Sequence, residues 1–471
     1  MWDYAKFRNH IALYDENNVS ISYEQLQKEE QKMIDIVKER CLIFVLCRNE
    51  TGAVIGYSAF VNGNMVPVLL NAHLEKELLD NLLVKYKPSY LWIPQELFIE
   101  FPEMEIVYSA WNYALVRTGF HIQYKLNPNL CMLLTTSGST GSPQFVRQSY
   151  DNVKKNAESI VEYLKLDASE RPITTLPMNY TYGLSIINSH LMVGATILVT
   201  GKSLMQKEFW NFFKEQRATS FGGVPYTYEI LDRLRIFKMD LPSLHCMTQA
   251  GGKITLELHK KFAKYAVENG KKFVVMYGQC EATARMGYLP AEKAVEKCGS
   301  IGIAIPGGKF YLVDENGHKI TEPNVTGELV YEGANVTLGY AECGEDLSKG
   351  DEKHGVLLTG DMAKFDLDGY YYIVGRKKRF LKIYGNRVNL DEIEGLVKGK
   401  FENIDFACGG IDDHMYLFLT DGKLAESVKT FLTGTTKLNP AAFKAIVLEE
   451  IPQNESGKVL YKELTKYYER F

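Results

Sequence analysis

The chain has 471 residues, of which 46% are hydrophobic and 24% charged, and it carries a formal net charge of −4. This length predicts two or three domains with large buried cores, and the small negative charge argues against nucleic acid or an anionic membrane as a partner. The N-terminal residues lack a signal-peptide pattern and no apolar run approaches the roughly 20 residues that cross a bilayer, so we expect a cytoplasmic protein without membrane insertion.

The first part of the chain alternates helical and strand patterns. Ser22 is a suitable N-cap for a helix, because Gln25 follows three residues later as in a capping box. Such alternation of strands and helices is typical of a parallel α/β sheet. The predicted strands here are residues 42–47 and 66–70, and the predicted helices are residues 50–64 and 74–85.

The same α/β pattern continues through the middle of the chain and then changes. From about Gly299 the sequence consists of short strand patterns separated by glycines, which predicts a β-rich subdomain. After the basic cluster at 376–379, a mixed pattern predicts a small α/β domain. Further predicted strands are residues 130–134, 197–200, 220–225, 273–277 and 370–374.

The eight cysteines are scattered along the chain, and none of them forms a CxxC pair. Several lie inside apolar runs. This distribution predicts reduced, packed thiols, as in a cytosolic protein, and argues against disulfide and zinc sites.

Residues 136–143, Thr-Ser-Gly-Ser-Thr-Gly-Ser-Pro, directly follow a predicted buried strand. Small and hydroxyl-bearing residues let backbone N–H groups and hydroxyls approach phosphate oxygens. No Gly-Lys-Ser/Thr closes the segment, so it is not a Walker A loop. Taken alone it also fits an ordinary flexible turn, and its meaning depends on segments later in the chain.

Six later segments complete an ordered set with this loop: residues 176–184, 221–225, 250–253, 277–281, 359–379 and 452–458. Together the seven segments resemble those of the adenylate-forming superfamily, which comprises acyl-CoA synthetases, stand-alone adenylation domains and luciferases. The resemblance extends from about residue 21 to residue 464, and a chance match to the ordered set is negligible.

The resemblance implies an α/β fold with a large N-terminal domain of two α/β subdomains plus a β-rich subdomain, and a small mobile C-terminal α+β domain. We expect residues 1–377 to form the adenylation core and residues 378–471 to form the mobile lid. Lys378 then falls at the hinge between them.

The resemblance also implies sites for ATP and Mg²⁺. In it, Glu281 and Thr140 lie at the metal, and Lys458 enters the active site during adenylation and bridges the substrate carboxylate and the α-phosphate. These three residues are therefore the expected catalytic residues. The expected nucleotide-binding residues are Thr136, Ser137, Gly138, Ser139, Thr140, Gly141, Gly251, Gly252, Lys253, Tyr277, Gly278, Asp361 and Arg376.

The expected pocket for the carboxylic acid substrate is formed by Tyr180, Tyr182, Gly223 and Cys280. Amino-acid-activating members of the superfamily tend to carry Asp where this chain has Tyr180. A buried ammonium left without that partner would cost several kcal/mol, so a free α-amino acid is a disfavoured substrate.

Several other positions depart from the superfamily pattern. Gln144 stands where a lysine is usual, Cys280 replaces a threonine, and Tyr461 stands at the position of a later arginine. Arg379 replaces a common acidic residue, and for Arg379 and Lys377 we favour a solvated surface turn.

Three functions remain open at this point. The leading one is an AMP-forming acid–thiol ligase that activates an aryl, fatty or small hydroxy or keto acid as an acyl-adenylate and passes it to CoA or to the phosphopantetheine of an acyl carrier protein. The second is a stand-alone amino-acid adenylation protein that loads a separate carrier. The third is a non-catalytic nucleotide-binding relative, which the departures suggest and the retained Glu281, Asp361 and Lys458 argue against.

Overall fold

A computed structural model describes residues 1–120, 124–135, 144–401, 404–453 and 459–468. The chain divides into two compact units: residues 1–310 with 331–357, and residues 311–330 with 358–471. The expected boundary between residues 377 and 378 falls inside the second unit, and it remains a prediction about which part of the chain moves.

The helices are α1 (Tyr23–Val37), α2 (Thr51–Asn62), α3 (Lys76–Tyr86), α4 (Tyr150–Leu164), α5 (Thr181–Met192), α6 (Lys207–Glu215), α7 (Pro225–Arg233), α8 (Leu256–Glu268), α9 (Leu390–Lys400), α10 (Ala425–Thr436) and α11 (Tyr461–Leu464). As predicted, Ser22 caps α1 in a reciprocal capping box with Gln25. The helices expected at 50–64 and 74–85 are α2 and α3, which differ from the prediction by one or two residues at each end.

The strands of the first half are β1 (Ile11–Asp15), β2 (Ser20–Ser22), β3 (Leu42–Cys47), β4 (Val66–Asn71), β5 (Tyr90–Pro94), β6 (Glu105–Ala110), β7 (Tyr113–Arg117), β8 (Leu130–Thr135), β9 (Phe145–Ser149), β10 (Ile197–Val199), β11 (Ser220–Gly223), β12 (Cys246–Gln249) and β13 (Lys272–Tyr277). Those of the second half are β14 (Gly287–Tyr288), β15 (Ile303–Ala304), β16 (Gly308–Val313), β17 (Lys319–Ile320), β18 (Gly327–Gly333), β19 (Gly339–Ala341), β20 (Val356–Phe365), β21 (Tyr371–Arg376), β22 (Phe380–Ile383), β23 (Asn386–Asn389), β24 (Phe406–Ile411), β25 (His414–Leu419) and β26 (Phe443–Val447).

An eight-stranded sheet organises the front of the first unit, in the order β19-β9-β8-β4-β3-β5-β7-β6. Its central strands β3 and β4 pair in parallel and are apolar along their length because both faces of the sheet are covered. Alternate residues of β3 enter two different cores: Ile43, Val45 and Cys47 enter one, and Leu42, Phe44 and Leu46 enter the other.

A second α/β layer of the same unit is built on the five-stranded sheet β11-β12-β13-β14-β15. Its strands β11, β12 and β13 are parallel and in register, so their carboxyl ends lie at one edge. Glycine-punctuated sequence between residues 308 and 376 forms another five-stranded sheet, β17-β16-β18-β20-β21. The expected α/β architecture with two α/β subdomains and a β-rich subdomain is therefore confirmed.

The end of the second unit folds as a small α+β module. Its three-stranded sheet β24-β25-β26 packs with α9 and α10 around a core of its own. Six of the eight cysteines are buried and the other two are partly exposed, so most of them are packed as predicted. Within the described parts of the chain, no helix has the length and apolar character needed to cross a membrane.

Candidate active site

The predicted phosphate loop connects two neighbouring strands. β8 ends at Thr135 and β9 begins at Phe145, and the strands pair antiparallel with these two residues opposite each other. Residues 136–143, and with them Thr136, Ser137, Gly138, Ser139, Thr140 and Gly141, lie outside the described residues. Their roles therefore stay predictions.

The Tyr277–Glu281 segment begins at the last residue of β13 and then turns sharply. Gly278 is required here because a Cβ at this position would lie 1.5 Å from the carbonyl oxygen of Ala284. The thiol of Cys280 contacts the carbonyl oxygen of Thr135 at 3.6 Å. The segment that should bind adenine and metal thus lies beside the strand end from which the predicted phosphate loop begins.

Glu281 is held by a short segment that includes β19. The hydroxyl of Tyr340 donates to Glu281 Oε1 at 2.8 Å, while the N–H of Thr337 donates to the backbone carbonyl oxygen of Glu281 at 3.0 Å. Burial and the neighbouring Glu281 carboxylate raise the pKa of Tyr340 well above its usual range, so its hydroxyl stays protonated and remains a donor.

The environment of Glu281 fits Mg²⁺. The carboxylate is only partly buried, and Oε2 makes no hydrogen bond to any described residue, so an oxygen ligand is available. Nowhere in the described ranges do three or more His, Cys, Asp or Glu side chains form a group that could hold a metal. Mg²⁺ is commonly bound by one or two carboxylates together with substrate phosphates and water, and a single carboxylate near the start of the predicted phosphate loop is compatible with that pattern.

The expected acid pocket and adenine loop are neighbours. Gly251, which follows β12, has a positive φ of 83°, and a Cβ there would lie 2.5 Å from the Tyr180 hydroxyl. Gly252 and Lys253 continue this loop. Burial and the nearby Cys280 raise the pKa of Tyr180 to about 12, so its hydroxyl is neutral near pH 7.

Tyr182 is a wall of the same region and is only 3% exposed. Its hydroxyl lies 2.8 Å from Thr248 Oγ1, and its ring lies 5.1 Å from the guanidinium of Arg285. A Cβ at Gly223 would meet Thr227 at 2.7 Å, so this glycine permits close packing at the start of α7. The structure therefore brings Tyr180, Tyr182, Gly223 and the loop at 251–253 to one region.

In the second unit, the two residues expected near ribose form an ion pair. Asp361 on β20 lies opposite Arg376 on β21, and Asp361 Oδ1 is 2.8 Å from Arg376 Nε. The Asp361 side chain is buried whereas that of Arg376 is half-exposed. The carboxylate is thus oriented by a basic neighbour on the adjacent strand.

The basic cluster is only in part the solvated turn that the sequence favoured. Lys377 is half-exposed and pairs with Glu328 at 2.6 Å, and Lys378 is exposed in the short helical turn 377–379. Arg379 was predicted wrongly: its side chain is 12% exposed and pairs with Asp391 at 2.6 Å and Glu394 at 2.7 Å. The basic sequence at 376–379 gives no sign that carboxylates of α9 will cover the side chain of Arg379.

Tyr461 and Arg379, two departures from the superfamily pattern, contact each other. The Arg379 guanidinium lies 3.7 Å from the centre of the Tyr461 ring, and the Tyr461 hydroxyl donates to Glu394 Oε2 at 2.8 Å. We name Arg379, Asp391, Glu394 and Tyr461 the Arg379 cluster. Lys458 itself lies outside the described residues, which resume at Val459 in an isolated bridge with Gln453.

Sequence reasoning did not find Tyr340, Thr337 or Arg285. Tyr340 contacts Glu281 across a separation of 59 residues, and nothing in its local sequence marks that contact. Arg285 is 3% exposed and donates to Ser185 Oγ at 3.1 Å and to the Tyr163 hydroxyl at 2.9 Å behind the expected acid pocket. Long-range partners of this kind become visible only in the folded chain.

The chain is similar to known proteins in both sequence and fold. The family described as AMP-binding enzyme matches residues 2–341. The peroxisomal OPC-8:0-CoA ligase 1 of Arabidopsis thaliana is 30% identical over 352 residues, which cover 71% of this chain and 63% of that protein. The 2-succinylbenzoate–CoA ligase of Bacillus mycoides is 26% identical over 447 residues, covering 92% and 90% of the two chains.

The fold is also similar to a solved structure, the O-succinylbenzoate Coenzyme A Synthetase from Bacillus subtilis in complex with AMP. The TM-score is 0.80 with 21% sequence identity, over 99% of this chain and 98% of that one. The chain thus shares the fold of this synthetase. The family model matches more than half of this chain, so the chain belongs to the AMP-binding enzyme family.

Proposed function

We propose that this protein is an AMP-forming acid–thiol ligase that uses ATP to convert a carboxylic acid to an acyl-adenylate and then transfers the acyl group to a thiol. The observation that carries this proposal is the family match over residues 2–341. The alignment with the Arabidopsis thaliana relative covers less than two thirds of that protein's length, so the activity is proposed for this chain and not transferred from it.

In the proposed first step, a carboxylate oxygen attacks the α-phosphorus and pyrophosphate leaves. Both reactants are anionic, so the step requires neutralisation of charge and an in-line geometry. We assign the neutralising charge to Lys458 and the cradling of the phosphates to residues 136–141. Bound Mg²⁺, which Glu281 would hold, offsets further charge on the phosphates.

In the proposed second step, a thiol displaces AMP from the acyl-adenylate. We propose that the chain from Lys378 onward moves between the steps, withdrawing Lys458 and presenting residues near Lys382 and Gly385. A hinge of this kind lets one cleft perform two sequential reactions.

We propose CoA as the thiol, because the relatives described above are both named CoA ligases. A carrier-protein phosphopantetheine is the competing acceptor, and pyrophosphate release without acyl-CoA formation in the experiment below would favour it. We also propose a cytoplasmic location, which the scattered cysteines without a CxxC pair support because such cysteines stay reduced in that compartment.

Carboxylate-dependent release of pyrophosphate, measured over a panel of aryl, fatty, hydroxy, keto and amino acids with and without CoA, tests the proposal. We expect at least one acid without an α-amino group to release pyrophosphate and to yield an acyl-CoA. Turnover of amino acids alone would favour an adenylation protein that loads a carrier. Absence of turnover on the whole panel would favour a nucleotide-binding relative without catalysis.

A further inference from the structure

Tyr340 is placed beside the predicted metal ligand by the edge of the eight-stranded sheet. β19 pairs antiparallel with β9, with Tyr340 opposite Val146 and Gly339 opposite Arg147. β9 is also the strand that leaves the predicted phosphate loop. The backbone of Tyr340 is therefore tied to one of the two strands that flank that loop.

The position of Tyr340 is fixed by a buried arginine. Arg147 is fully buried, and its Nε donates to the carbonyl oxygen of Tyr340 at 3.0 Å. Its Nη2 donates to the carbonyl oxygen of Leu338 at 3.0 Å and also pairs with Glu352. A guanidinium bound to the carbonyl oxygens of both Leu338 and Tyr340 leaves the β19 backbone little freedom.

From this fixed strand, the Tyr340 hydroxyl reaches one oxygen of Glu281. The donor–acceptor distance of 2.8 Å to Oε1 is that of a good hydrogen bond. Thr337 meanwhile holds the backbone carbonyl oxygen of Glu281 through its N–H at 3.0 Å and its hydroxyl at 3.1 Å. Main chain and side chain of Glu281 are thus both bound by one segment.

We propose that Tyr340 is a positioning residue that occupies Oε1 of Glu281 and so presents Oε2 alone to the Mg²⁺–nucleotide complex. This inference rests on the proposed function, because it takes Glu281 as the metal ligand. Mg²⁺ demands a near-ideal octahedral arrangement, so a carboxylate restricted to one oxygen and one orientation suits it. Partners that orient a metal ligand in this way typically contribute 10–100-fold to metal affinity, on the order of the effect expected here.

Tyr340→Phe tests the inference because it removes the hydroxyl and keeps the ring. The readout is Mn²⁺ binding in the presence of a non-hydrolysable ATP analogue, followed by electron paramagnetic resonance, so that it does not depend on turnover. We expect Mn²⁺ to bind about 10-fold more weakly to the variant than to the wild type.

Tyr86→Phe is the matched control. Tyr86 is fully buried, whereas Tyr340 is partly buried, and the Tyr86 hydroxyl donates to the carbonyl oxygen of Ala341 on the same strand β19 at 3.0 Å, without contacting Glu281. This variant loses a comparable hydrogen bond to β19 and should keep wild-type Mn²⁺ affinity. Equal weakening in both variants would mean that general loosening of β19, and not the contact with Glu281, is responsible, and would overturn the inference.

A double-mutant cycle adds a second measurement. If Tyr340 acts only through Glu281, Tyr340→Phe should cause no additional loss of Mn²⁺ binding in a Glu281→Ala background, and an additive loss would contradict the inference.

If Tyr340→Phe does not fold, Glu281→Asp replaces it, since the shorter side chain withdraws from the hydroxyl. Wild-type Mn²⁺ affinity in that variant would likewise contradict the inference.

These outcomes separate the inference from the proposed function. The inference alone would be overturned if the wild-type protein releases pyrophosphate and binds Mn²⁺ with the analogue, and the Tyr340→Phe variant binds Mn²⁺ equally well. Wild-type protein that neither releases pyrophosphate nor binds the metal with the analogue would overturn both.

Discussion

At the scale of single residues, the Arg379 cluster shows how a position that departs from the family pattern is accommodated. The guanidinium of Arg379 pairs with two carboxylates of α9 and also donates to the carbonyl oxygen of Cys408 at 2.9 Å. The aromatic ring of Tyr461 lies against it. An arginine that is buried this deeply needs such partners, because a charge taken out of water without them costs several kcal/mol.

Arg379→Met should therefore destabilise the second unit strongly. The substitution leaves Glu394, whose side chain is 10% exposed, without its cationic partner. Removing one member of a buried pair costs about 3–5 kcal/mol, and we expect a loss of that order in the free energy of unfolding measured with urea. A loss below about 1 kcal/mol would show that the cluster contributes little.

Arg117→Met is a suitable comparison for this measurement. Arg117 pairs with Glu105 at 3.1 Å, but both side chains are more than half exposed. Exposed pairs of this kind contribute about 0–1 kcal/mol, so this variant should unfold at nearly the wild-type urea concentration.

At the scale of secondary-structure elements, the sequence predicted what local patterns determine. β3 was predicted at its observed bounds because an unbroken apolar run of six residues can only be a fully covered strand or a buried helix, and its shortness favours the strand. The start of α1 was predicted because the side chains of Ser22 and Gln25 accept hydrogen bonds from each other's backbone N–H groups at the helix N-terminus.

What the sequence did not predict depends on distant partners. The solvated turn expected at Arg379 was wrong because acidic residues of α9, which begins eleven positions later, cover that side chain. The support of Glu281 by Tyr340 was missed because an ordinary tyrosine in a short strand carries no local signal. The order of motifs thus indicated the candidate site residues, whereas the contacts that hold them required the fold.

An element-scale prediction concerns the pH dependence of stability through α8. His259 is fully buried on this helix, and its Nδ1 lies 3.3 Å from the N–H of Gly299. Burial lowers the pKa of His259 from 6.5 to about 4, because the folded protein disfavours the charged imidazole. Between these values the unfolded chain binds a proton that the folded chain does not, so stability is lost as the pH falls from about 6.5 towards 4.

The expected contribution is on the order of 1.4 kcal/mol per pH unit within that window. His259→Gln keeps an acceptor for Gly299 but cannot titrate, so the free energy of unfolding of this variant should depend less steeply on pH between about 4 and 6.5. Urea unfolding of both proteins across that range provides the measurement. Identical pH dependence of the two proteins would contradict the assignment to His259.

At the scale of the whole molecule, the proposed function requires one chain to perform two reactions in turn. Its central prediction is that Lys458→Ala abolishes carboxylate-dependent pyrophosphate release and spares thioester formation from supplied acyl-adenylate. The physical reason is that only the first step needs a positive charge between the carboxylate and the α-phosphate. Separate assays of the two half-reactions measure this directly.

Lys462→Ala provides the matched control, since Lys462 lies four positions further on α11 and is exposed. It should leave both half-reactions within about twofold of wild type, as expected for the substitution of an exposed side chain. Equal loss of both half-reactions in Lys458→Ala would count against movement of the C-terminal part of the chain between steps.

The late position of β19 in the chain has a consequence for biosynthesis. Arg147 is made early, yet the acceptors for its guanidinium are supplied by residues 338–352. Until residues 338–352 have been synthesised, the Arg147 guanidinium and the edge of β9 that later pairs with β19 have no native partners. Such incomplete states are prone to aggregate. The ribosome must therefore deliver some two hundred residues (roughly ten to forty seconds of translation) beyond Arg147 before that side of the sheet can close.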